Sequence, residues 1–122
     1  MSEPEQTNLE KGVMYCRKHD FRAANPMLAE AVREEPENAM AWYYFGYTHW
    51  RMYEYDRALP AFERAAELDP QHKDYLFMLA DTCSKVGNYE RGLEVAKQMK
   101  ALGPYRLNPD PIILLCERKL SS

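Results

Sequence analysis

Apolar and small residues return along this chain in one fixed register. Trp42, Phe45, Gly46 and His49 stand at i, i+3, i+4 and i+7, which is one stripe of a helix. Ala58, Phe62 and Ala65 form a second stripe, and Pro70 closes the block. Moved on by 34 residues, the frame lands on Leu76, Leu79, Ala80, Gly92, Ala96, Met99 and Pro104. Moved back by 34, it lands on Gly12, Tyr15, Phe21, Ala24, Leu28, Ala31 and Pro36. A period of this length predicts a stacked array of helix pairs.

The residue types fit that reading. Gly46 and its counterparts Gly12 and Ala80 are small and predict the close approach of a neighbouring helix. Ala58 and Ala65 do the same on the second helix, where Phe62 fills the space between repeats. Pro36, Pro70 and Pro104 predict the ends of the second helices, because proline cannot continue one. Gly87-Asn88 is a turn signal between the helices of the third block. The equivalent His19-Asp20 and Tyr53-Glu54 lack glycine, so a positive φ there would carry strain.

In the middle block, Trp42-x2-Phe45-Gly46, then Ala58-x3-Phe62-x2-Ala65, then Pro70 resemble the tetratricopeptide repeat (TPR), with His49 where that pattern has tyrosine. The first block keeps Gly12, Tyr15, Ala24 and Pro36 but has Asn8 and Lys11 at two apolar positions. The third keeps Pro104 but trades the aromatics for Leu76, Leu79, Cys83 and Ala96. The resemblance implies an all-α fold: a right-handed α-solenoid of three helix-turn-helix units over residues 5–38, 39–72 and 73–106, in one domain. Arrays of this family commonly end in an extra helix, which places a C-terminal capping helix in residues 107–122. Asp110 is its expected N-cap and Pro111 its first helical residue. Ile112, Ile113, Leu115, Cys116 and Leu120 share one arc, and Leu114 points away from it. The segment reads as a cap with one exposed leucine, or as a sticky end that pairs through Ile113 and Leu114.

Composition narrows the function. The chain has 122 residues, 46% hydrophobic and 29% charged, as an ordinary soluble domain does. No apolar run reaches the ~18 residues that cross a bilayer, so no membrane partner is expected. A net charge of −3 argues against nucleic acid. The N-terminus is acidic and lacks the apolar core of a signal peptide, and residues 1–4 are expected to be disordered. Cys16, Cys83 and Cys116 are odd in number and form no C-x-x-C pair, so a reducing, cytoplasmic setting is expected. Cys83 and His49 share one slot on the buried stripe; two ligands do not make a metal site, and both read as core residues. The sequence offers no nucleophile–base pair and no glycine-rich phosphate loop. Glu34-Glu35 and Glu63/Glu67 read as solvated helix faces. The expected protein is not an enzyme and uses no cofactor or metal.

In the family, the first helices of successive repeats line a concave groove that meets partner segments, as repeat proteins generally do. Beside the middle core stripe runs a second one, Tyr43, Tyr47 and Trp50, flanked by Met40 and Tyr44. Leu9 and Val13 extend it on one side and Phe77 on the other. Tyr and Trp are enriched in binding hot spots. The same rings could instead pack on one another and close the groove, with Tyr44 at the repeat interface. Arg17, Arg51 and Lys85 recur every 34 residues and are expected to stack along one groove edge. They either hold a partner's carboxylates or meet the dipoles of their own helix ends.

Relatives that clamp a chaperone's C-terminal carboxylate use Lys, Asn, Asn, Lys and Arg where this chain has Leu9, Val13, Tyr44, Asp74 and Met78. None matches. The groove is more similar in character to the small repeat chaperones of bacterial secretion systems, which hold a hydrophobic stretch of their cargo. The expected function is non-catalytic binding of an apolar peptide or helical segment of another protein. The chain would act as a monomer or weak homodimer, in an adaptor or chaperone-like role. The alternative is a scaffold or self-associating subunit that uses its C-terminal helix.

Overall fold

The computed structural model describes residues 5–122; the segment expected to be disordered, residues 1–4, lies outside them. The described residues form seven α-helices and no strand: α1 (Asn8–Arg17), α2 (Phe21–Glu34), α3 (Ala39–Arg51), α4 (Tyr55–Leu68), α5 (Lys73–Lys85), α6 (Tyr89–Leu102) and α7 (Asp110–Ser121). Each helix packs on the next along the chain, α1 also touches α3, and α5 touches α7. That is the neighbour-only contact pattern of a helical solenoid.

Small residues set the approach within each pair. A Cβ placed on Gly12 would sit 2.5 Å from Leu28 Cγ, and one on Gly46 would sit 3.0 Å from the Phe62 ring. Leu28 and Phe62 are both fully buried, so neither glycine position has room to spare. In the third pair the glycine changes helix. Ala80 meets Gly92, where the earlier pairs have Gly12 with Ala24 and Gly46 with Ala58. A Cβ on Gly92 would lie 3.2 Å from Cys116 Sγ, so this glycine also admits α7.

The three turns inside the pairs share one backbone. His19 (φ 59°), Tyr53 (φ 62°) and Gly87 (φ 84°) are all left-handed. The cause is the bond that closes each first helix: Asp20 N–H donates to Tyr15 O at 2.9 Å, Glu54 to His49 at 2.8 Å and Asn88 to Cys83 at 2.8 Å. Gly87 meets that demand without a side-chain clash, whereas His19 and Tyr53 each carry on the order of 1 kcal/mol of strain.

Helices α2, α4 and α6 stop at Glu34, Leu68 and Leu102, two residues before Pro36, Pro70 and Pro104. Two further prolines, Pro26 and Pro60, stand inside α2 and α4 and were not anticipated as helical. Both are exposed. The carbonyls of Arg22 and Asp56 therefore lose their usual helix partner on a face that water reaches.

Helix α7 starts one residue before its expected position. Pro109 is the N-cap and Asp110 the first helical residue, because Asn108 Oδ1 accepts the Asp110 N–H at 3.0 Å. The Asp110 carboxylate instead pairs with Lys100 at 2.8 Å. Ile112 and Cys116 are buried, and Leu114 is 67% exposed. Leu120, expected on the buried arc, is exposed in the last turn. Ile113 is half-buried against the core, which leaves Leu114 the more exposed of the two expected end contacts.

Candidate partner-binding groove

Tyr43, Tyr47 and Trp50 lie on one face of α3 because they recur at helical spacing. Tyr43 and Tyr47 stack at 6.2 Å with their planes 14° apart, and Tyr47 and Trp50 stack at 6.2 Å and 13°. Behind this wall Tyr43 also stacks on Tyr75 at 4.8 Å. Trp50 Nε1 donates to Asp81 Oδ2 at 2.9 Å and ties α3 to α5. Burial, reinforced by the Asp74 charge, holds the Tyr43 hydroxyl well above its ordinary pKa, so it stays neutral.

Beside the wall lies a hollow of about 480 Å³. Tyr43, Tyr44, Tyr47, Trp50 and Phe77 all line it, together with Cys16, Arg17, Met78, Arg106 and Leu107. The rings thus pack on one another and still leave open space. The lining contains two guanidiniums and no carboxylate. Burial pushes the Cys16 thiol up to about 11, so it contributes a neutral, apolar surface.

The other expected groove residues stand apart from this hollow. Leu9, Val13 and Met40 line a second one of about 420 Å³, along α1 at the start of α3. Met40 is 46% exposed there, while Leu9 also packs into the core below. Arg17 borders both hollows. The single patch expected across the groove is therefore two, and Tyr44 packs on the first repeat's buried cluster between α1 and α2.

The basic ladder also divides. Arg17 lines the groove, whereas Arg51 and Lys85 line neither hollow. The Arg51 guanidinium lies 4.7 Å over the Phe21 ring and donates to the Tyr47 hydroxyl at 3.1 Å. Lys85 pairs with Asp81 at 3.3 Å. Arg51 is held behind the groove wall by Phe21 and Tyr47, and Lys85 is held by Asp81, so a shared register does not make a shared edge.

Two lining residues were not anticipated: Arg106 and Leu107, from the linker between α6 and α7. Arg106 Nη2 donates to Asp74 Oδ2 at 3.0 Å, Lys73 Nζ donates to Pro104 O, and Leu107 packs on the core. These contacts fold the linker back over the first turn of α5. The segment lies outside the repeat register, and its one signal is an apolar Leu107 in a turn-rich stretch.

His49 is a satisfied core histidine. Its Nε2 lies 3.2 Å from Asn25 Nδ2 and its Nδ1 lies 3.1 Å from Glu54 Oε1. An amide nitrogen donates, so Nε2 accepts and Nδ1 carries the proton toward Glu54. Among the described residues, no three His, Cys, Asp or Glu side chains gather as a metal ion requires.

Comparison with known proteins agrees with this architecture. The family model described as anaphase-promoting complex, cyclosome, subunit 3, which is of the tetratricopeptide type, matches residues 17–99, more than half of the chain. The chain belongs to the tetratricopeptide-repeat family. The cytochrome c-type biogenesis protein CycH of Pseudomonas aeruginosa is similar to this TPR chain, 32% identical over 93 residues. That match takes in 76% of the chain but only 22% of CycH, so the chain spans about a fifth of that relative. Among solved structures, MamA (AMB-1) shares the TPR fold with a TM-score of 0.85 at 19% identity, over 93% of this chain and 62% of that one. The TPR2B domain of yeast Sti1, in a complex with pHsp70, matches with a TM-score of 0.82 at 18% identity, over 93% and 99%. The TPR fold makes the chain a protein-interaction module. No helix among the described residues is long and apolar enough to cross a membrane.

Proposed function

We propose that this TPR chain binds an apolar segment of another protein along its aromatic face and catalyses no reaction. The observation that carries the reading is the hollow of about 480 Å³ with five aromatic side chains in its lining. Burying that aromatic area would supply about 25 cal/mol per Å², less the cost of ordering the segment. Leu9, Val13 and Met40 offer the segment a second seat. Arg17 and Arg106 would orient it where it carries acidic side chains, while Arg51 acts only through Tyr47. The role is that of an adaptor or chaperone-like protein. The Sti1 domain supports segment binding on this fold, and the unmatched clamp positions point to a different partner chemistry. Three free, buried cysteines fit a reducing compartment such as the cytoplasm.

The test is affinity capture from the native cell extract. Tyr43 and Trp50 also hold the fold through Tyr75 and Asp81, so the comparison bait is Tyr47→Ala/Phe77→Ala, with its helical circular dichroism and melting checked against wild type. A protein held by the wild type and lost by the variant supports the reading. Equal recovery removes the groove as the site.

A second reading is self-association through α7, favoured by the exposure of Leu114 (67%) and Leu120 (44%). Sedimentation would then show a dimer that Leu114→Glu dissociates. A wild-type monomer at high concentration would dismiss it.

A further inference from the structure

The chain contains nine arginines. Arg33, Arg64, Arg91 and Arg106 each pair with a carboxylate at 3.3 Å or closer. Of the other five, Arg22, Arg51 and Arg57 surround one hollow of about 580 Å³ at the turn between α3 and α4. They come from three elements: the first turn of α2, the last residue of α3 and the first turn of α4. None of the three lines the groove described above.

Their surroundings leave them available. Arg51 is fixed by the Phe21 ring and the Tyr47 hydroxyl, which use one face and one N–H of its fork. Arg57 reaches Glu54 only at 3.9 Å and is 73% exposed. Arg22 pairs with no carboxylate among the described residues. Glu54 is the one carboxylate in the lining. Its Oε1 is held by His49, whose other nitrogen meets Asn25, so that acid is tied into a half-buried chain that runs on to Thr48. Three guanidiniums thus face one carboxylate in a chain that is acidic overall. Tyr53 also lines the hollow, 80% exposed and left-handed at a position where the third repeat has glycine.

We propose that this hollow is a phosphate site, taking a dianionic phosphate group that is either free or carried on a phosphorylated peptide. The planar forks of arginine match phosphate oxygens two at a time. A dianion balances the charge that three guanidiniums leave after Glu54, which a single carboxylate would not.

The test is an NMR titration of the chain, following backbone and arginine side-chain N–H signals. The probes are inorganic phosphate, a blocked Gly-Ala-phosphoserine-Ala-Gly peptide, its unphosphorylated form, and chloride at matched ionic strength. Saturable shifts at Arg22, Tyr53 and Arg57 are expected with both phosphate probes and with neither control. Tighter binding of the phosphopeptide than of the free ion assigns the site to a phosphorylated partner; equal binding assigns it to free phosphate. Arg22→Ala/Arg57→Ala should weaken binding by roughly tenfold or more. Both side chains are exposed, and an unchanged melting curve confirms the fold; Arg22→Lys/Arg57→Lys keeps the charge and should weaken it less. Shifts that do not saturate, that chloride reproduces, or that survive in the alanine variant would overturn the proposal.

Discussion

Helices α3 and α4 meet where Gly46 lies under Phe62, whereas α5 and α6 meet where Ala80 lies against Gly92. The first pair, with Gly12 under Leu28, follows the middle one. The period therefore preserves a sum of small volumes at each crossing rather than one residue at one place. The difference has a use. On α4 the slot of Ala96 holds Phe62, and the pair is filled from within. On α6 both Gly92 and Ala96 are small, and Cys116 of α7 packs into the space. The middle repeat turns its spare aromatic surface to the groove, and the third turns its small face to the cap.

Four sets of measurements can break or sharpen this contrast. The largest effect is expected from Phe62→Ala, which should cost about 3–5 kcal/mol in chemical denaturation. Its counterpart Ala96→Gly should cost only about 1 kcal/mol, the helix propensity difference. Similar losses would mean that the two repeats are filled alike.

Next come the glycines. Gly12→Ala forces Leu28 Cγ, a branch point in the core, to move, and should destabilise by about 1–3 kcal/mol. Gly92→Ala meets Cys116 Sγ at 3.2 Å and the Ala80 carbonyl at 3.3 Å, and the better helix propensity of alanine offsets much of that crowding. Its net change should stay below about 1 kcal/mol. Reversed ranking in thermal melts would show that α7 does not rely on the third pair's open face.

The turns give smaller effects of both signs. Gly87→Ala should lose about 1 kcal/mol, because φ at that residue is positive. His19→Gly and Tyr53→Gly should each gain up to about 1 kcal/mol by relieving the same conformation. A loss at all three would refute a common left-handed turn.

The last effect is with pH. Burial raises Cys16 and Cys83 from 9.0 to about 11 in the folded chain. Raised values favour the protonated thiols, so their contribution is intact below pH 9 and is lost as pH rises toward about 11. Melting temperature should fall over that window, and the fall should shrink in Cys16→Ala. A flat profile would contradict burial of the thiols.

Much of the fold was legible because it repeats. The prolines at 36, 70 and 104 marked the ends of α2, α4 and α6, and Gly87 announced a backbone that His19 and Tyr53 then had to share. What escaped was whatever breaks register. Pro26 and Pro60 are 34 apart, yet a proline inside a helix contradicts its usual meaning and gives no helical signal. Arg106 reaches the groove through Asp74, 32 residues away, and Trp50 is fixed by Asp81, 31 away. Neither offset belongs to the period. Arg51 and Lys85 show the converse: the register placed them alike, but Phe21 and Asp81 decide where their charges sit.

The central claim is that the aromatic face receives a partner segment, and peptide selection with shift mapping tests it most directly. A random peptide display library would be selected on the wild-type chain, and a recovered peptide titrated against it in NMR. The account predicts apolar peptides that shift the Trp50 indole N–H and the amides of Tyr47, Phe77 and Leu107, with binding lost in Tyr47→Ala/Phe77→Ala. Peptides that bind the variant equally, and shift only residues of α2 and α4, would contradict it.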